Sequence, residues 1–202
     1  MEKVINGNRN ERVYLCEQEF AAFAMYYFSD FFVYKSPEFH FDMYKDLQDI
    51  VKGVVTYLLW LMFRESAKTS IVKMFVVYCI VYRKKRFINW DSYDKDNAEA
   101  ALFDISTWLQ TNKKLIADFG QMYFEDSRNK GSQTAKSMKR INEFITTNKV
   151  KVKAYSTQES TRGRIFDRFR PDLFIVDDFE TNKTKASAAI TAKVGEHIDE
   201  FK

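Results

Sequence analysis

The stretch VVTYLLWLMF-RESAKTS-IVKMFVVYCIVY, residues 54–82, decides the predicted fold because it changes from apolar to polar and back to apolar along the chain. Residues 54–63 are continuously apolar and lack the alternation of a half-exposed strand, which is typical of a central strand covered on both faces. Residues 64–70 form a polar turn, and residues 71–82 are apolar and long enough for a buried helix. The stretch therefore predicts a strand, a short turn and a helix in direct succession.

Further strands and a helix are predicted downstream of this unit. Arg86–Trp90 and Leu173–Val176 have the composition of buried strands, Val150–Tyr155 alternates like a half-exposed strand, and Asn97–Gln110 has the apolar spacing of a helix. Because strands alternate with helices, the predicted fold class is α/β, with three αβα layers around a mainly parallel central sheet.

Helical spacing also marks other parts of the chain. An aromatic-faced helix is predicted over Glu17–Tyr34, and a second helix runs from Phe41 to a stop at Gly53. Weaker helical patterns cover Ser132–Thr147 and the residues from Ile190 to Phe201. Because both predicted helices precede residue 53, the first quarter of the chain is predicted to be an N-terminal helical segment.

The composition excludes several classes of enzyme. With only two histidines and two distant cysteines, the chain lacks the material for Cys/His zinc sites, a Ser-His-Asp triad or a disulfide framework. Cys79 lies within an apolar run and is predicted to be a reduced core thiol. The N-terminus has no secretory core and the longest apolar run is too short to span a bilayer, so a soluble cytosolic protein is expected.

The positive charge is concentrated in one part of the chain. Residues 128–170 hold twelve Lys and Arg against three Asp and Glu, which gives +9, whereas the whole chain carries only +4. This stretch would face DNA or a neighbouring subunit, or it would simply supply solvated surface charge. The sequence leaves these alternatives open.

The polar turn at residues 64–70 has the residues of a phosphate loop. A helix that follows a strand closely presents unpaired backbone N–H groups to an anion. Lys68 and Thr69 stand where a P-loop places its phosphate-binding Lys and its Mg²⁺-binding hydroxyl, but Ala67 and Met62 replace the two usual glycines. The alternative is an ordinary helix start capped by Thr69 or Ser70.

Two adjacent carboxylates end the last predicted strand. Asp177 and Asp178 follow four apolar residues, the position at which nucleotide hydrolysis needs a Mg²⁺ ligand and a group that orients the attacking water. The alternative is that these acids merely end a strand in solvent. Together with Lys68 and Thr69, they favour a nucleotide site.

These residues resemble the N-terminal ATPase half of the bacteriophage terminase large subunit, the motor that pumps DNA into an empty capsid. The resemblance covers residues 37–180. It rests on the following features: Phe39-His40 with Met43-Tyr44, the loop Arg64 to Thr69, the helix ending before Asp118-Phe119-Gly120, and Arg162-Gly163 ahead of Arg170 to Asp178. Terminases commonly lack the loop glycines and carry an early Arg, as this chain does.

The resemblance implies a P-loop NTPase fold of the RecA-like ASCE type and assigns roles within it. Mg²⁺-ATP would bind to a loop of residues 64–70, which is Arg64, Glu65, Ser66, Ala67, Lys68, Thr69 and Ser70. Thr69 and Asp177 would hold the metal, and Arg64 would sense phosphate or act as an arginine finger in cis. The water-orienting base would be Asp178 or Glu180. His40 would lie near the adenine or be a plain helix-start residue, and Arg162 would contact nucleotide, contact a neighbouring subunit or only pin its loop.

The resemblance also implies the organisation and setting of the protein. Residues 1–52 would be the helical segment and residues 53–202 an ATPase core that is incomplete at its C-terminus, without the family's coupling strand and nuclease domain. The expected chain is then a fragment, a truncated product or half of a split motor. Its partners would be double-stranded DNA, the portal protein, the small terminase subunit and further copies in a ring on the portal, in the host cytoplasm and docked on the procapsid.

Two other functions fit the same residues. One is a non-catalytic nucleic-acid-binding or scaffold fragment with a vestigial phosphate loop, and the other is a helicase-like P-loop ATPase. The scaffold would show no nucleotide binding that depends on Lys68. The motifs Arg162-Gly163 and Asp118-Phe119-Gly120, which belong to the terminase resemblance, make the helicase-like function the less favoured of the two ATPases.

Overall fold

The computed structural model describes residues 7–123, 141–157, 159–160 and 163–178. Within them, six α-helices, one 3₁₀ helix and four strands follow one another along the chain. They are α1 (Arg9–Gln18), α2 (Phe20–Tyr27), the 3₁₀ helix (Ser29–Phe31), α3 (Glu38–Lys52), α4 (Lys68–Val81), β1 (Phe87–Ser92), α5 (Lys95–Thr111), α6 (Lys113–Phe119), β2 (Glu143–Ile145), β3 (Lys151–Ser156) and β4 (Leu173–Val176). None of the helices in these ranges is both long and apolar enough to cross a membrane.

The four strands form one mixed sheet in the order β2-β3-β1-β4. β1 runs parallel to β3 and to β4, and β2 is antiparallel to β3. Every residue of β1 is buried, as expected for the strand with parallel neighbours on both sides. The predicted α/β class with a mainly parallel sheet is therefore confirmed, and the structure is compatible with three αβα layers.

The chain divides into two compact units. The helical unit comprises Met1–Lys84 and Thr111–Gly120 and contains α1 to α4 and α6. The sheet unit comprises Lys85–Gln110 and Gln121–Lys202 and contains the sheet and most of α5.

The core of the helical unit is built from aromatic rings around α4. Phe20 of α2 contacts Phe75 and Tyr78 with ring centroids 5.3 and 5.5 Å apart, and Phe23 contacts Tyr78 at 5.3 Å. Tilted and edge-to-face pairs of this kind stabilise a core beyond the area that they bury. Cys79 is buried and free, as predicted.

The predicted central strand over residues 54–63 is wrong. These residues form no strand, and Val54, Leu59 and Leu61 are 71%, 71% and 88% exposed. A strand needs a neighbour with which to exchange backbone hydrogen bonds, and none of the four described strands pairs with this segment. The segment contacts α3 through side chains instead: the Trp60 indole N–H donates to Asp46 at 2.9 Å, and the rings of Phe63 and Phe39 lie 5.6 Å apart.

The single helix predicted over Glu17–Tyr34 is also wrong in its extent. The backbone is extended at Glu19, so the pattern divides into the end of α1 and the whole of α2, and it closes in the short 3₁₀ turn. The ridge of Phe20, Phe23 and Tyr27 is buried as predicted, but Phe31 is half exposed.

The weak helix predicted over Ser132–Thr147 is wrong where the structure describes it. Residues 143–145 form β2, in which Phe144 is buried while Glu143 and Ile145 are exposed. The Glu143 carboxylate contacts Lys151 and Lys153 of the neighbouring strand at 3.4 and 3.0 Å. Cross-strand partners thus override a weak helical spacing.

Other predicted elements are confirmed. β4 has the predicted bounds, and β3 is displaced by one residue. α5 begins two residues earlier and ends one residue later than predicted, and β1 begins one residue later and ends two residues later. Gly53 caps α3 in a left-handed conformation with a φ of 73°. The helical pattern over residues 190–201 lies outside the described residues.

Candidate nucleotide site

The predicted phosphate loop leads directly into α4. The helix begins at Lys68, and its first backbone bond joins the Ile71 N–H to the Ala67 carbonyl at 3.0 Å. Ala67 occupies the cap position and supplies no side-chain hydrogen bond, so the alternative of a helix capped by Thr69 or Ser70 is wrong. The first N–H groups of α4 consequently have no acceptor within the helix.

Two residues of this loop adopt left-handed backbone conformations although neither is glycine. Glu65 has a φ of 65° and Ala67 a φ of 59°. Each such residue costs about 1–2 kcal/mol relative to an ordinary conformation. The loop therefore makes a tight turn without the glycines that usually permit such backbone conformations.

The exposure of the loop residues changes along the turn. Arg64 and Glu65 are exposed, while Lys68, Thr69 and Ser70 at the start of α4 are half-buried. Ser66 is only 2% exposed, and its Oγ has no hydrogen-bond partner among the described residues. The loop thus contains a buried hydroxyl between an exposed Arg64 and a half-buried Lys68 in the sequence.

His40 links α3 to this loop. Its Nε2 lies 2.9 Å from the Ser66 carbonyl oxygen, and because a carbonyl only accepts hydrogen bonds, Nε2 must carry the proton. In a neutral imidazole, Nδ1 is then an acceptor. His40 Nδ1 is buried and has no partner in the part of the chain that the structure describes, so it offers an unused acceptor beside the loop.

A cavity of about 200 Å³ opens next to His40. One wall comes from the segment after the 3₁₀ helix, and the other comes from the starts of α3 and α4. Burial raises the pKa of the Tyr44 phenol, which therefore stays neutral at physiological pH. The lining includes Phe32, Tyr34, His40, Tyr44, Ala67 and Ser70.

This cavity suits a flat ring better than a whole nucleotide. Complete small-molecule pockets occupy roughly 300–1,000 Å³ and combine apolar walls with a few polar groups. The cavity is smaller, mainly apolar with several aromatic rings, and bounded by His40 and by Ala67 and Ser70 of the phosphate loop and α4. A nucleobase in the cavity would hold its phosphates toward the start of α4.

The sheet unit positions the predicted carboxylates at the end of β4. The Asp177 N–H donates to the Asp91 carbonyl at 3.0 Å, and the Ser92 hydroxyl donates to the Asp177 carbonyl at 2.7 Å. The Tyr93 N–H donates to the Asp178 carbonyl at 3.3 Å. Asp178 is exposed and left-handed, with a φ of 51°, so the backbone turns sharply at the carboxyl end of the strand.

A buried ion pair beside these carboxylates escaped the sequence analysis. Arg164 Nη1 donates to Asp91 Oδ1 at 2.9 Å, and both side chains are almost fully buried. The guanidinium lies 3.5 Å from the ring centroid of Tyr155 and also donates to the carbonyls of Ser160 and Glu159. The sequence signal that could have predicted this pair is Asp91, which lies within an apolar strand pattern. A buried carboxylate requires a charged or hydrogen-bonding partner.

The candidate residues thus fall into two groups. The helical unit brings together His40, the loop from Arg64 to Ala67 and the first residues of α4, whereas the sheet unit holds Asp177 and Asp178. Arg162 and Glu180 lie outside the described residues. Among those described, no group of three or more His, Cys, Asp or Glu side chains is placed to hold a metal ion.

Comparison with known proteins gives no identification. No family model, no curated protein and no solved structure matches this chain.

Proposed function

We propose that this chain is the ATPase part of a phage terminase large subunit, which powers the packaging of double-stranded DNA into the procapsid. The observation that carries the proposal is the join between the phosphate loop and the aromatic cavity. His40 contacts the Ser66 carbonyl at 2.9 Å, and both His40 and Ala67 line the cavity. This adjacency of the cavity and the loop before α4 supports the proposal that base and phosphates bind side by side.

The phosphates of ATP bind at the start of α4 in this proposal. The first N–H groups of α4, which have no acceptor within the helix, and the positive end of the helix dipole attract an anion, and Lys68 adds a full charge. The left-handed conformations of Glu65 and Ala67 support this role, because tight backbone turns at phosphate sites carry such strain. Arg64, exposed at the other side of the turn, senses the terminal phosphate.

The adenine occupies the aromatic cavity. Aromatic walls stack on a base, and the His40 Nδ1 acceptor matches the exocyclic amino group of adenine. The same acceptor would meet the carbonyl oxygen of guanine, which cannot donate. We therefore expect ATP to bind in preference to GTP.

Thr69 and Asp177 are suitable ligands for Mg²⁺ in this proposal, since their side chains offer the oxygen atoms that this ion prefers. Mg²⁺ usually takes one or two protein ligands and completes its shell with phosphates and water, so a dedicated cluster of acids is unnecessary. When bound, the ion neutralises charge on the transferred phosphoryl group. Asp178 or Glu180 then orients the attacking water.

The partners belong to the same proposal. Duplex DNA is the cargo, and the portal protein, the small terminase subunit and further copies of the chain complete the motor. In the alternative of a non-catalytic scaffold, the phosphate loop would bind nothing, and that difference makes nucleotide binding the first test.

Calorimetry with two ligands tests the proposal. Lys68→Ala should abolish binding of both ATP and inorganic tripolyphosphate, since it removes the charge that meets the phosphates. His40→Ala should weaken ATP binding about tenfold, or about 1.4 kcal/mol, and leave tripolyphosphate binding unchanged. Lys45→Ala, which removes an exposed lysine of α3, is the control and should bind both ligands normally.

Two results would contradict the proposal. One is the absence of heat on titration of the unaltered chain with ATP. The other is equal binding by the unaltered chain and Lys68→Ala, with both shown to be folded by circular dichroism.

A further inference from the structure

The three parallel strands of the sheet unit each enter the sheet beside a cation. Arg86 immediately precedes β1, Lys149 lies two residues before β3, and Arg170 lies three residues before β4. Because these strands are parallel and adjacent, their amino ends lie along one edge of the sheet. The proposed nucleotide groups of this unit lie at the opposite, carboxyl ends.

Backbone bonds hold two of these entries against β1. The Lys151 N–H donates to the Arg86 carbonyl at 2.9 Å, and the Asp172 N–H donates to the Phe87 carbonyl at 3.0 Å. The Asp172 carboxylate in turn accepts from the Arg86 N–H at 2.9 Å. The cations at this edge are thus carried on a fixed backbone.

A tight hairpin adds a further guanidinium to the same edge. Phe166 and Phe169 exchange two backbone bonds of 2.9 Å, and Asp167 adopts a φ of 56°, which leaves Arg168 exposed at the tip. The guanidinium of Arg86 lies 4.3 Å from the ring centroid of Phe169, and that of Arg168 lies 5.4 Å from it. Two like charges therefore share one aromatic ring.

We define the strand-entry cluster as Arg86, Lys149, Arg168 and Arg170. Within the described ranges, no carboxylate forms an ion pair with any of the four. Asp172 directs its carboxylate to backbone N–H groups instead. Among the described residues, the cluster is therefore a row of exposed cations that form no ion pair with a carboxylate.

We propose that the strand-entry cluster binds the phosphate backbone of duplex DNA. Neighbouring strands are about 4.8 Å apart, so entries to three adjacent strands span about 10 Å. A duplex carries one charge for each ~1.7 Å of its axis, and a row of this length meets several phosphates. Guanidinium groups held on an aromatic ring keep their N–H edges free for paired bonds to phosphate oxygens.

The inference goes beyond the nucleotide site, because it assigns a DNA-binding face to the amino edge of the sheet. It rests on the proposed function for the choice of DNA among polyanions. The binding needs no nucleotide, so the two proposals are tested separately.

Fluorescence anisotropy on the full chain with a labelled duplex of about 30 base pairs, at about 50 mM salt and without ATP, tests the proposal. Arg168→Glu/Arg170→Glu reverses two exposed charges of the cluster. Its affinity for the duplex should fall at least tenfold, and the slope of log affinity against log salt should fall by about 2. Lys45→Glu/Lys52→Glu makes the same charge change on exposed positions of α3 and should stay within about twofold.

The control for the nucleotide site is ATP binding by Arg168→Glu/Arg170→Glu, which should be unchanged. If reversal of both charges prevents folding, Arg168→Gln/Arg170→Gln takes its place, with a smaller loss of affinity in the same direction.

Several results would overturn the proposal. They are the failure of the unaltered chain to bind the duplex at low salt, an equal loss in both double variants, and tighter binding of a single strand of the same length. Displacement of the duplex by polyglutamate of matched charge would also contradict it and would indicate an acidic protein as the partner.

Discussion

Backbone conformation at single residues marks both halves of the candidate site. Glu65 and Ala67 are left-handed before α4, and Asp178 is left-handed after β4. None of the three is glycine, and each carries a conformational cost of about 1–2 kcal/mol. Residues of this kind concentrate where a backbone must approach a ligand or redirect a side chain.

The first prediction concerns Asp178. Asp178→Ala should bind ATP with unchanged affinity but should hydrolyse it at least a hundredfold more slowly, because a group that positions water acts in the reaction and not in binding. Steady-state phosphate release on assembled, DNA-bound protein measures the rate, and calorimetry measures the affinity.

Glu180→Ala is the matched variant for the same assay. Normal turnover in Asp178→Ala combined with a loss in Glu180→Ala would transfer the role to Glu180. Normal turnover in both variants would contradict the assignment of a carboxylate base at the end of β4.

At this scale the sequence predicted the local setting of the candidate residues, a helix start near Lys68 and a strand that ends before Asp177. Lys68, Thr69 and Asp177 stand in patterns that can be found by eye, because a phosphate loop and a strand-ending acid are local features. The cavity beside His40 could not be predicted, since its walls come from three segments whose meeting depends on packing. The partner of Asp91 was likewise hidden, because Arg164 lies 73 residues away.

At the scale of elements, the contact between α1, α2 and α6 is held by one buried carboxylate. Asp118 of α6 is 3% exposed and accepts two bonds from the Arg12 guanidinium, at 2.7 and 2.9 Å, and one from the Tyr27 hydroxyl at 2.8 Å. Arg9 donates to the Asp118 carbonyl. Burial alone would raise the pKa of Asp118, but the bonds from Arg12 and Tyr27 outweigh it and lower the pKa.

The second prediction is that Asp118→Asn destabilises the helical unit by about 3 kcal/mol at pH 7, because it leaves the Arg12 guanidinium without its charged partner. The pKa of Asp118 is lower in the folded chain than its unfolded value of about 3.9, so its stabilising effect is complete above that value. The effect is lost as the pH falls through the folded pKa.

Urea unfolding at a series of pH values checks this prediction. The difference between the unaltered chain and Asp118→Asn should narrow steadily below about pH 4. Asp42→Asn, at an exposed position of α3, should show little difference at any pH. A difference for Asp118→Asn that stayed constant down to pH 2 would contradict the charged role.

The contrast between two apolar segments shows why some elements were predicted and others were not. The strand Leu173–Val176 was correctly predicted because Asp172 and Asp177 stand at the two ends of a short apolar run. In the structure β1 is its hydrogen-bonding neighbour. Residues 54–63 have a stronger apolar signal but form no strand. A strand depends on its neighbours, so composition alone cannot distinguish a paired segment from an extended, exposed one.

At the scale of the whole molecule, the candidate residues belong to two compact units. The helical unit holds the loop before α4 and the cavity, and the sheet unit holds Asp177 and Asp178. Lys68 and Asp177 are 109 positions apart in the sequence. The proposed function requires that both residues act on one Mg²⁺-bound triphosphate.

Coupling between Thr69 and Asp177 in Mg²⁺-ATP binding tests this requirement most directly. Thr69→Ala and Asp177→Asn should each weaken Mg²⁺-ATP binding about tenfold, and the double variant should lose much less than the product of the two effects, because both side chains hold the same ion. All the variants should bind ATP alike in EDTA. Losses that multiply to about a hundredfold, or an unchanged affinity in Asp177→Asn, would contradict a shared magnesium site.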